Sequence, residues 1–387
     1  MVEKIVLGGQ AIVAGRGAIE HVKTLDAKRA MIVTGGQSMF ANGAIGRIEE
    51  IFQQKGCATS VFMGIGPNPD TSIVLQGLEQ MRTFGPDVLI AIGGGSALDA
   101  AKVMSLFYEY PEISFENVLT IPLPERRQKL TFVAIPSTSG TGSEVTKASV
   151  ITFKEQNLKI GLKTTAMIPD IAILDGEITM SMPPHVVAET GMDALTHAVE
   201  SYINRNMGPF MEPLAQGAVE GIFANLPASY LEKSPESRDK MHLYQCMAGL
   251  AFNHSGLGMA HGIAHAVGGR FGLGHGLLNA ILLPYVLRFN RRDREVTLKL
   301  QRLAHSIGSD DFVDSVEQLN RTLHIPSSFR ETGIVQEDFE KDFADLVEKA
   351  MKGSTRVNPV PVRADQMIAF LQGVFQGDVT AIEAIPQ

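Results

Sequence analysis

Val88-Leu89-Ile90-Ala91-Ile92-Gly93-Gly94-Gly95-Ser96-Ala97-Leu98-Asp99-Ala100-Ala101-Lys102 is the stretch on which the reading of the fold turns. Five apolar residues make a run of the length of a fully buried strand. Three glycines interrupt it, and a helical pattern begins at Ala97. Strand, glycine turn and helix form one half of a βαβ crossover. The surrounding chain repeats the alternation. β-rich runs at 30–34, 59–63 and 131–135, with weaker ones at 148–153, 158–162 and 171–174, are interleaved with helical patterns at 43–55, 71–83 and 97–107. That order predicts right-handed crossovers and a mostly parallel sheet.

The pattern changes near Ser181-Met182-Pro183-Pro184. Beyond it no β-rich run stands out, and helical periodicity covers 184–203, 211–226, 238–253, 292–307, 312–323 and 336–351. A proline pair suits a helix start, where a missing N–H costs nothing. The expectation is an α/β domain with a parallel sheet over 1–181, followed by an all-helical domain over 182–387.

Composition narrows the function. With 387 residues the chain is long enough for two domains, and 34 basic against 42 acidic side chains give a formal net charge of −8. A general nucleic-acid binder would need a basic stripe, which is missing. No stretch approaches the 18 apolar residues of a membrane span, and the N-terminus lacks a secretory pattern. Cys57 and Cys246 lie far apart among apolar neighbours, which reads as two buried free thiols rather than a disulfide. A cytoplasmic protein with neither nucleic-acid nor membrane partners is expected.

The glycine turn after 88–92 opens a helix, where backbone N–H groups and the helix dipole favour an anion. It is neither the G-x-G-x-x-G fingerprint, since Leu98 stands at the third glycine, nor a P-loop. A plain tight turn is the alternative. A second loop, Pro136-Ser137-Thr138-Ser139-Gly140-Thr141-Gly142-Ser143-Glu144, offers hydroxyls and backbone donors to ribose and phosphate oxygens. The first strand runs into Gly35-Gly36-Gln37-Ser38 with no acid close behind. A carboxylate at that point would hold ribose hydroxyls and repel a 2′-phosphate. Its absence, with Ser38 as a donor, leans toward NADP or dual use of NAD and NADP.

In the second half, Asp193 and His197 are four residues apart, one turn on the same helix face. His261 and His265 repeat the spacing, and His275 follows. A carboxylate with three imidazoles suits Fe²⁺ or Zn²⁺. Spacing alone does not choose three ligands among His185, His197, His254, His261, His265 and His275, and any one of these could be a hydrogen-bonded core residue.

Together, Gly93-Gly94-Gly95-Ser96 with Asp99, the 136–146 loop, Gly191-Met192-Asp193-Ala194-Leu195-Thr196-His197-Ala198-Val199-Glu200, and Gly258-Met259-Ala260-His261 with His265 and His275-Gly276 resemble the iron-containing (group III) alcohol dehydrogenases. The resemblance spans nearly the whole chain in matching order. It implies a nucleotide-binding α/β domain and a helical metal domain, a plan shared with dehydroquinate synthase, with catalysis in the cleft between them. It makes Asp193, His197, His261 and His275 the metal ligands and leaves His265 unligated beside them. It places pyrophosphate on Gly94, Gly95 and Ser96, lines the nucleotide with Thr138, Ser139 and Ser143, and brings Asp99 and Lys159 near. Gly35-Gly36-Gln37-Ser38 is similar to the run in NADP-using butanol and aldehyde reductases of the family, whereas many NAD-using members carry Asp at the position of Gly35.

The implied chemistry is hydride transfer between NAD(P) and a small primary alcohol or aldehyde, with the metal polarising the substrate oxygen. His265 would relay the proton. The family favours Fe²⁺, and Zn²⁺ fits the same donors. A homodimer or larger homo-oligomer is a family expectation. Two other readings stay open. A dehydroquinate-synthase-type lyase would need several basic residues near the metal, where only Arg270 lies close in sequence, and a non-catalytic metal- or nucleotide-binding protein would show no turnover. The Arg270-Phe271-Gly272-Leu273-Gly274 run departs from the family pattern, so the usual substrate cannot be assumed.

Overall fold

The computed structural model describes residues 5–154 and 158–386. They divide into two compact units: one runs from the N-terminus to Pro183 and includes Arg238–Cys246, and the other holds Pro184–Ser237 and Met247–Gln387.

The first unit contains strands β1 (Ala11–Ala14), β2 (Arg29–Thr34), β3 (Ala58–Phe62), β4 (Val88–Gly93), β5 (Thr131–Pro136), β6 (Ala148–Phe153), β7 (Leu158–Lys163) and β8 (Ile171–Leu174). Six of them form one sheet in the order β1-β8-β5-β4-β2-β3, and every neighbouring pair is parallel. β6 and β7 form a separate antiparallel hairpin. The expected parallel sheet is therefore present. β1 was not anticipated from the sequence: it is four residues long, lies at the sheet edge and buries little, so it carries no readable pattern.

Both faces of the sheet are covered, which is why its central strands read as continuous apolar runs. Met31, Val33, Leu89, Ala91, Phe132 and Ala134 pack one way, against helices α2 (Thr71–Phe84) and α3 (Gly95–Glu109). Ala30, Ile32, Val88, Ile90, Val133 and Ile135 pack the other way, against α1 (Ala44–Gln54). Cys57 and Cys246 are both free and buried.

The longer helices that follow are α4 (Pro184–Ile203), α5 (Glu212–Leu231), α6 (Pro235–Ser255, shared between the units), α7 (Met259–Phe271), α8 (His275–Asn290), α9 (Arg294–Ser306), α10 (Phe312–Thr322), α11 (Phe343–Ala350) and α12 (Ala364–Gln376). The core of the second unit joins Ile263 and Val267 of α7 with Leu278, Ile281 and Leu282 of α8 and Phe370 of α12. The single helix expected over 336–351 is two, Gln336–Lys341 and α11, parted at Asp342. The Asp342 carboxylate pairs with Arg270. Among the described residues, no helix is long and apolar enough to cross a membrane.

Two buried polar groups tie the first unit together. Lys102 on α3 is fully buried, and its ammonium donates to Thr146 Oγ1 at 3.1 Å and to the Ala148 carbonyl at 2.8 Å. Burial lowers its pKa to about 8, against the pull of Asp99 and Glu144. The Lys102→Met protein should lose about 3 kcal/mol of stability in urea unfolding, because two buried acceptors and two buried acids lose their cation. An unchanged midpoint would refute this.

His242, in the part of α6 that belongs to the first unit, is also fully buried. Its Nε2 lies 3.0 Å from the Pro136 carbonyl and its Nδ1 2.9 Å from Ser139 Oγ. Desolvation lowers its pKa from 6.5 to about 4. The unfolded chain therefore takes up this proton first as pH falls. The contribution is whole above pH 6.5 and is lost on descent from there to about 4, at about 1.4 kcal/mol per pH unit. Melting temperatures across that window should fall more steeply for the wild type than for His242→Gln; parallel curves would contradict the assignment.

Candidate nucleotide loops and metal centre

In a parallel sheet all strands deliver their C-terminal ends to one edge. Adjacent registers, Thr34 against Ile92 and Gly93 against Pro136, bring the loops after β2, β4 and β5 side by side there. From β2 the chain steps outward to β3, then returns to β4 on the far side of β2 and continues to β5 and β8. The direction of winding therefore reverses between β2 and β4. Ligands of open α/β sheets bind outside the strand ends at such a reversal. Gly35-Gly36 follows one of these two strands and Gly94-Gly95-Ser96 the other.

α3 starts at Gly95 with Gly94 as its cap residue, which has no side chain to cap the first turn. A helix of this length with an uncapped start is a ready anion site. A Cβ on Gly95 would stand 2.7 Å from Thr141 Cγ2, so glycine is what lets the 137–143 loop close over the turn. Gly36 and Ser38 are exposed beside it, and the Thr138 side chain lies next to Gly94.

The remaining expected nucleotide residues have definite internal tasks. The Pro136 carbonyl can only accept, so His242 carries its proton on Nε2. Its Nδ1 then accepts from Ser139, whose hydroxyl proton is committed inward. Ser143 Oγ donates to Asp99 Oδ1 at 2.7 Å, and Asp99 Oδ2 accepts from the Val150 N–H at 2.8 Å. Asp99 thus ties α3 to the following loop and hairpin. Lys159 Nζ, on β7, donates to Asn68 Oδ1 at 2.9 Å, and burial lowers its pKa.

The second unit gathers Asp193 from α4, His261 from α7 and His275 from the start of α8, with one ligand atom of each within 4.8 Å of the others. Asp193 Oδ1 is 3.8 Å from the Nε2 of both histidines, too far for a hydrogen bond. The Nε2 of His261 is buried and has no hydrogen-bond partner. Such an atom calls for an explanation, and a bound cation supplies one. Burial and the surrounding imidazoles hold the His261 pKa well below the ordinary value, so the ring stays neutral, as a metal ligand must be. One carboxylate with imidazoles and no sulfur fits a first-row divalent ion.

His197, one turn after Asp193, stacks on His261 with ring centroids 4.4 Å apart and on Phe252 at the same distance. It adjoins the three-residue cluster. His265 stacks on His275 at 4.8 Å, nearly parallel. The other candidates lie elsewhere: His185 is exposed in the first turn of α4, and His254 Nδ1 faces the Leu250 carbonyl of its own helix. The Arg270 guanidinium is paired with Asp342, Nε to Oδ2 at 2.6 Å.

Three residues of these sites escaped the sequence reading. Asn279, one turn after His275, donates to Asp193 Oδ1 at 2.7 Å and approaches His275 Nε2 at 3.1 Å. Glu200 holds His261 Nδ1 at 2.7 Å. Burial pushes the Glu200 carboxyl up to about 7, against the pull of its N–H donors. Its spacing from Asp193 and His197 on one helix face was an available signal; nothing comparable marked His242.

The model of iron-containing alcohol dehydrogenases matches residues 9–176, and that of the C-terminal part of Fe-containing alcohol dehydrogenases matches 187–375. The NADPH-dependent butanol dehydrogenase of Clostridium saccharobutylicum is 40% identical over 373 residues, covering 94% of this chain and 96% of that protein. The 1-propanol dehydrogenase PduQ of Salmonella typhimurium is 38% identical over 327 residues, covering 81% of this chain and 84% of its own length. The iron-containing alcohol dehydrogenase of Thermococcus thioreducens superposes with a TM-score of 0.90 at 30% identity, covering 97% of this chain and all of that one. Matched by both halves of one family in chain order, this protein belongs to the iron-containing alcohol dehydrogenases.

Proposed function

We propose that this NAD(P)-linked alcohol dehydrogenase interconverts small primary alcohols and aldehydes, prefers NADP(H) or accepts both nicotinamide cofactors, and works with Fe²⁺. The observation that carries the reading is the cluster of buried Asp193 and His261 with half-buried His275, and its unpartnered His261 Nε2. Held by Asp193, His197, His261 and His275, the ion would supply Lewis acidity toward the substrate oxygen, and the nicotinamide would supply or take the hydride. Zn²⁺ fits the same donors, and the family's name favours iron.

The chain's own groups do the rest. His265, half-buried and stacked on His275, would pass the proton between the alcohol oxygen and solvent. Gly94, Gly95 and Ser96 would hold pyrophosphate at the uncapped start of α3, with Gly35, Gly36, Ser38 and Thr138 around the adenosine. Asp99, Ser139 and Ser143 would shape that loop from beneath, and Lys159 would face the nucleotide from the hairpin. No acid follows β2, and the butanol dehydrogenase relative is named as NADPH-dependent, which supports NADP(H). Residues 1–181 would form the nucleotide domain and 182–387 the metal domain. A cytoplasmic homodimer or larger assembly completes the reading. β1, an edge strand with Ile12 exposed, is a surface that an assembly would use. A dehydroquinate-synthase-type lyase is not favoured, since Arg270 is spent on Asp342.

The test is a panel of short alcohols and aldehydes assayed with NADPH and NADH, on stripped protein reloaded with Fe²⁺ or Zn²⁺. Turnover should depend on the metal and should be highest with NADPH and Fe²⁺; metal-independent rates would refute the reading. Asp193→Ala should lose the metal and at least about 10³-fold in kcat/KM, equivalent to several kcal/mol of transition-state stabilisation. Gly35→Asp should raise the KM for NADPH about tenfold or more while sparing NADH, by setting a carboxylate against the 2′-phosphate. An unchanged NADPH-to-NADH ratio would argue against the assigned position.

A further inference from the structure

Glu200 sits near the end of α4, 1% exposed, with no Lys or Arg among its contacts with the described residues. A carboxylate so placed must be paid for by hydrogen bonds. Three are supplied by one short stretch: Ala260 N–H to Oε1 at 2.7 Å, Gly258 N–H to Oε2 at 2.9 Å, and His261 Nδ1 to Oε2 at 2.7 Å. Two of these donors are backbone groups at the opening of α7, which no cap side chain of its own serves. The third belongs to a side chain of the metal cluster. Glycine at 258 permits the approach, because a Cβ there would lie 2.8 Å from Glu200 Oε1 and 3.1 Å from Asn358 Oδ1.

Both Glu200 oxygens accept from backbone N–H groups, and with the carboxyl ionised the hydrogen shared with His261 resides on Nδ1. Its Nε2 is then an unprotonated lone pair, and that is the buried atom without a partner, directed toward Asp193. We propose that Glu200 is a positioning residue of the metal centre. It fixes His261 as the Nδ1–H tautomer, aims Nε2 at the ion, and by holding the start of α7 sets the height of the ligand-bearing turn. This rests on the metal reading above, and it adds a residue that never touches the ion. Carboxylates behind metal-bound imidazoles typically affect affinity tenfold to a hundredfold.

Asn358 provides the control. Its Oδ1 accepts from the Met259 N–H at 3.2 Å, so it supports the same helix start without touching a ligand. Zn²⁺ affinity of metal-free protein, measured by competition with a chromophoric chelator, should fall about 10- to 100-fold in Glu200→Gln and Glu200→Ala. It should change by less than about threefold in Asn358→Ala, whatever that variant loses in melting temperature. The Co²⁺-loaded Glu200→Gln protein should also show an altered visible spectrum. Equal affinity and an equal spectrum in wild type and Glu200→Gln would overturn the proposal and leave the metal site standing. Failure of the wild type to bind one ion per chain would overturn both. A readout that does not depend on Glu200 variants folding is the imidazole ¹H–¹⁵N spectrum of metal-free, histidine-labelled wild type, with His261 assigned through His261→Asn. An Nδ1–H pattern supports the proposal and an Nε2–H pattern refutes it.

Discussion

Burying two carboxylates on one face of α4 is the constraint from which the arrangement of the second unit follows. Asp193 and Glu200 are 3% and 1% exposed, and every residue of α4 from Gly191 onward is buried. A buried carboxylate costs several kcal/mol unless its oxygens are satisfied. Among the described residues, neither acid meets a Lys or Arg. Asp193 is met by the Asn279 amide of α8, and Glu200 by the opening N–H groups of α7 together with the His261 ring. The helices that satisfy these acids are the ones that carry His261, His265 and His275. The same hydrogen bonds that make α4 tolerable in the interior thus bring the imidazoles to Asp193.

The first unit answers a different constraint. A parallel sheet must return each strand through a crossover, so its turns collect on one edge, and small residues there let backbone approach backbone. Not every hydroxyl on that edge is offered outward. Ser139 is turned to His242 and Ser143 to Asp99. A hydroxyl has one proton, so both can only accept from a ligand, and the donors left for phosphate oxygens are backbone N–H groups at the start of α3 and the side chains of its neighbours. The loop that looked in the sequence like a row of equivalent donors is two layers, one shaping the other.

Legibility in the sequence followed this division. β2, β4 and β5 were readable within a residue or so because burial on both faces writes an unbroken apolar run. α4 was readable because a proline pair marks its start. α7 and α8 did not stand out as helices. Gly262, Gly268 and Gly269 depress helix propensity in α7, Pro284 interrupts α8, and both are apolar around much of their circumference, so no polar stripe sets the period. The ligand spacings 193/197 and 261/265 were visible all the same, because they depend on one turn of helix and not on its ends. What stayed hidden was the outer support. Asn279 and Glu200 are one turn from named residues, yet their partners come from other helices, and sequence spacing says nothing about which helices meet. His242 was hidden for the same reason: its partners are more than a hundred residues away, at the end of β5 and in the loop after it.

Two glycine-rich helix starts, 93–95 and 256–258, look alike in the sequence and are opposite in structure. Each presents backbone N–H groups that no residue of its own turn caps. At α7 the need is met from within, since Glu200 fills the position an anion would take and leaves no room there for a ligand. At α3 the cap residue is Gly94, which has no side chain to do so, and the start lies where the winding of the sheet reverses. The same backbone electrostatics therefore serves as scaffold in one unit and as an open site in the other. The difference lies in whether the fold brings an acid to the helix end, which is why a glycine turn before a helix is not by itself evidence of a nucleotide.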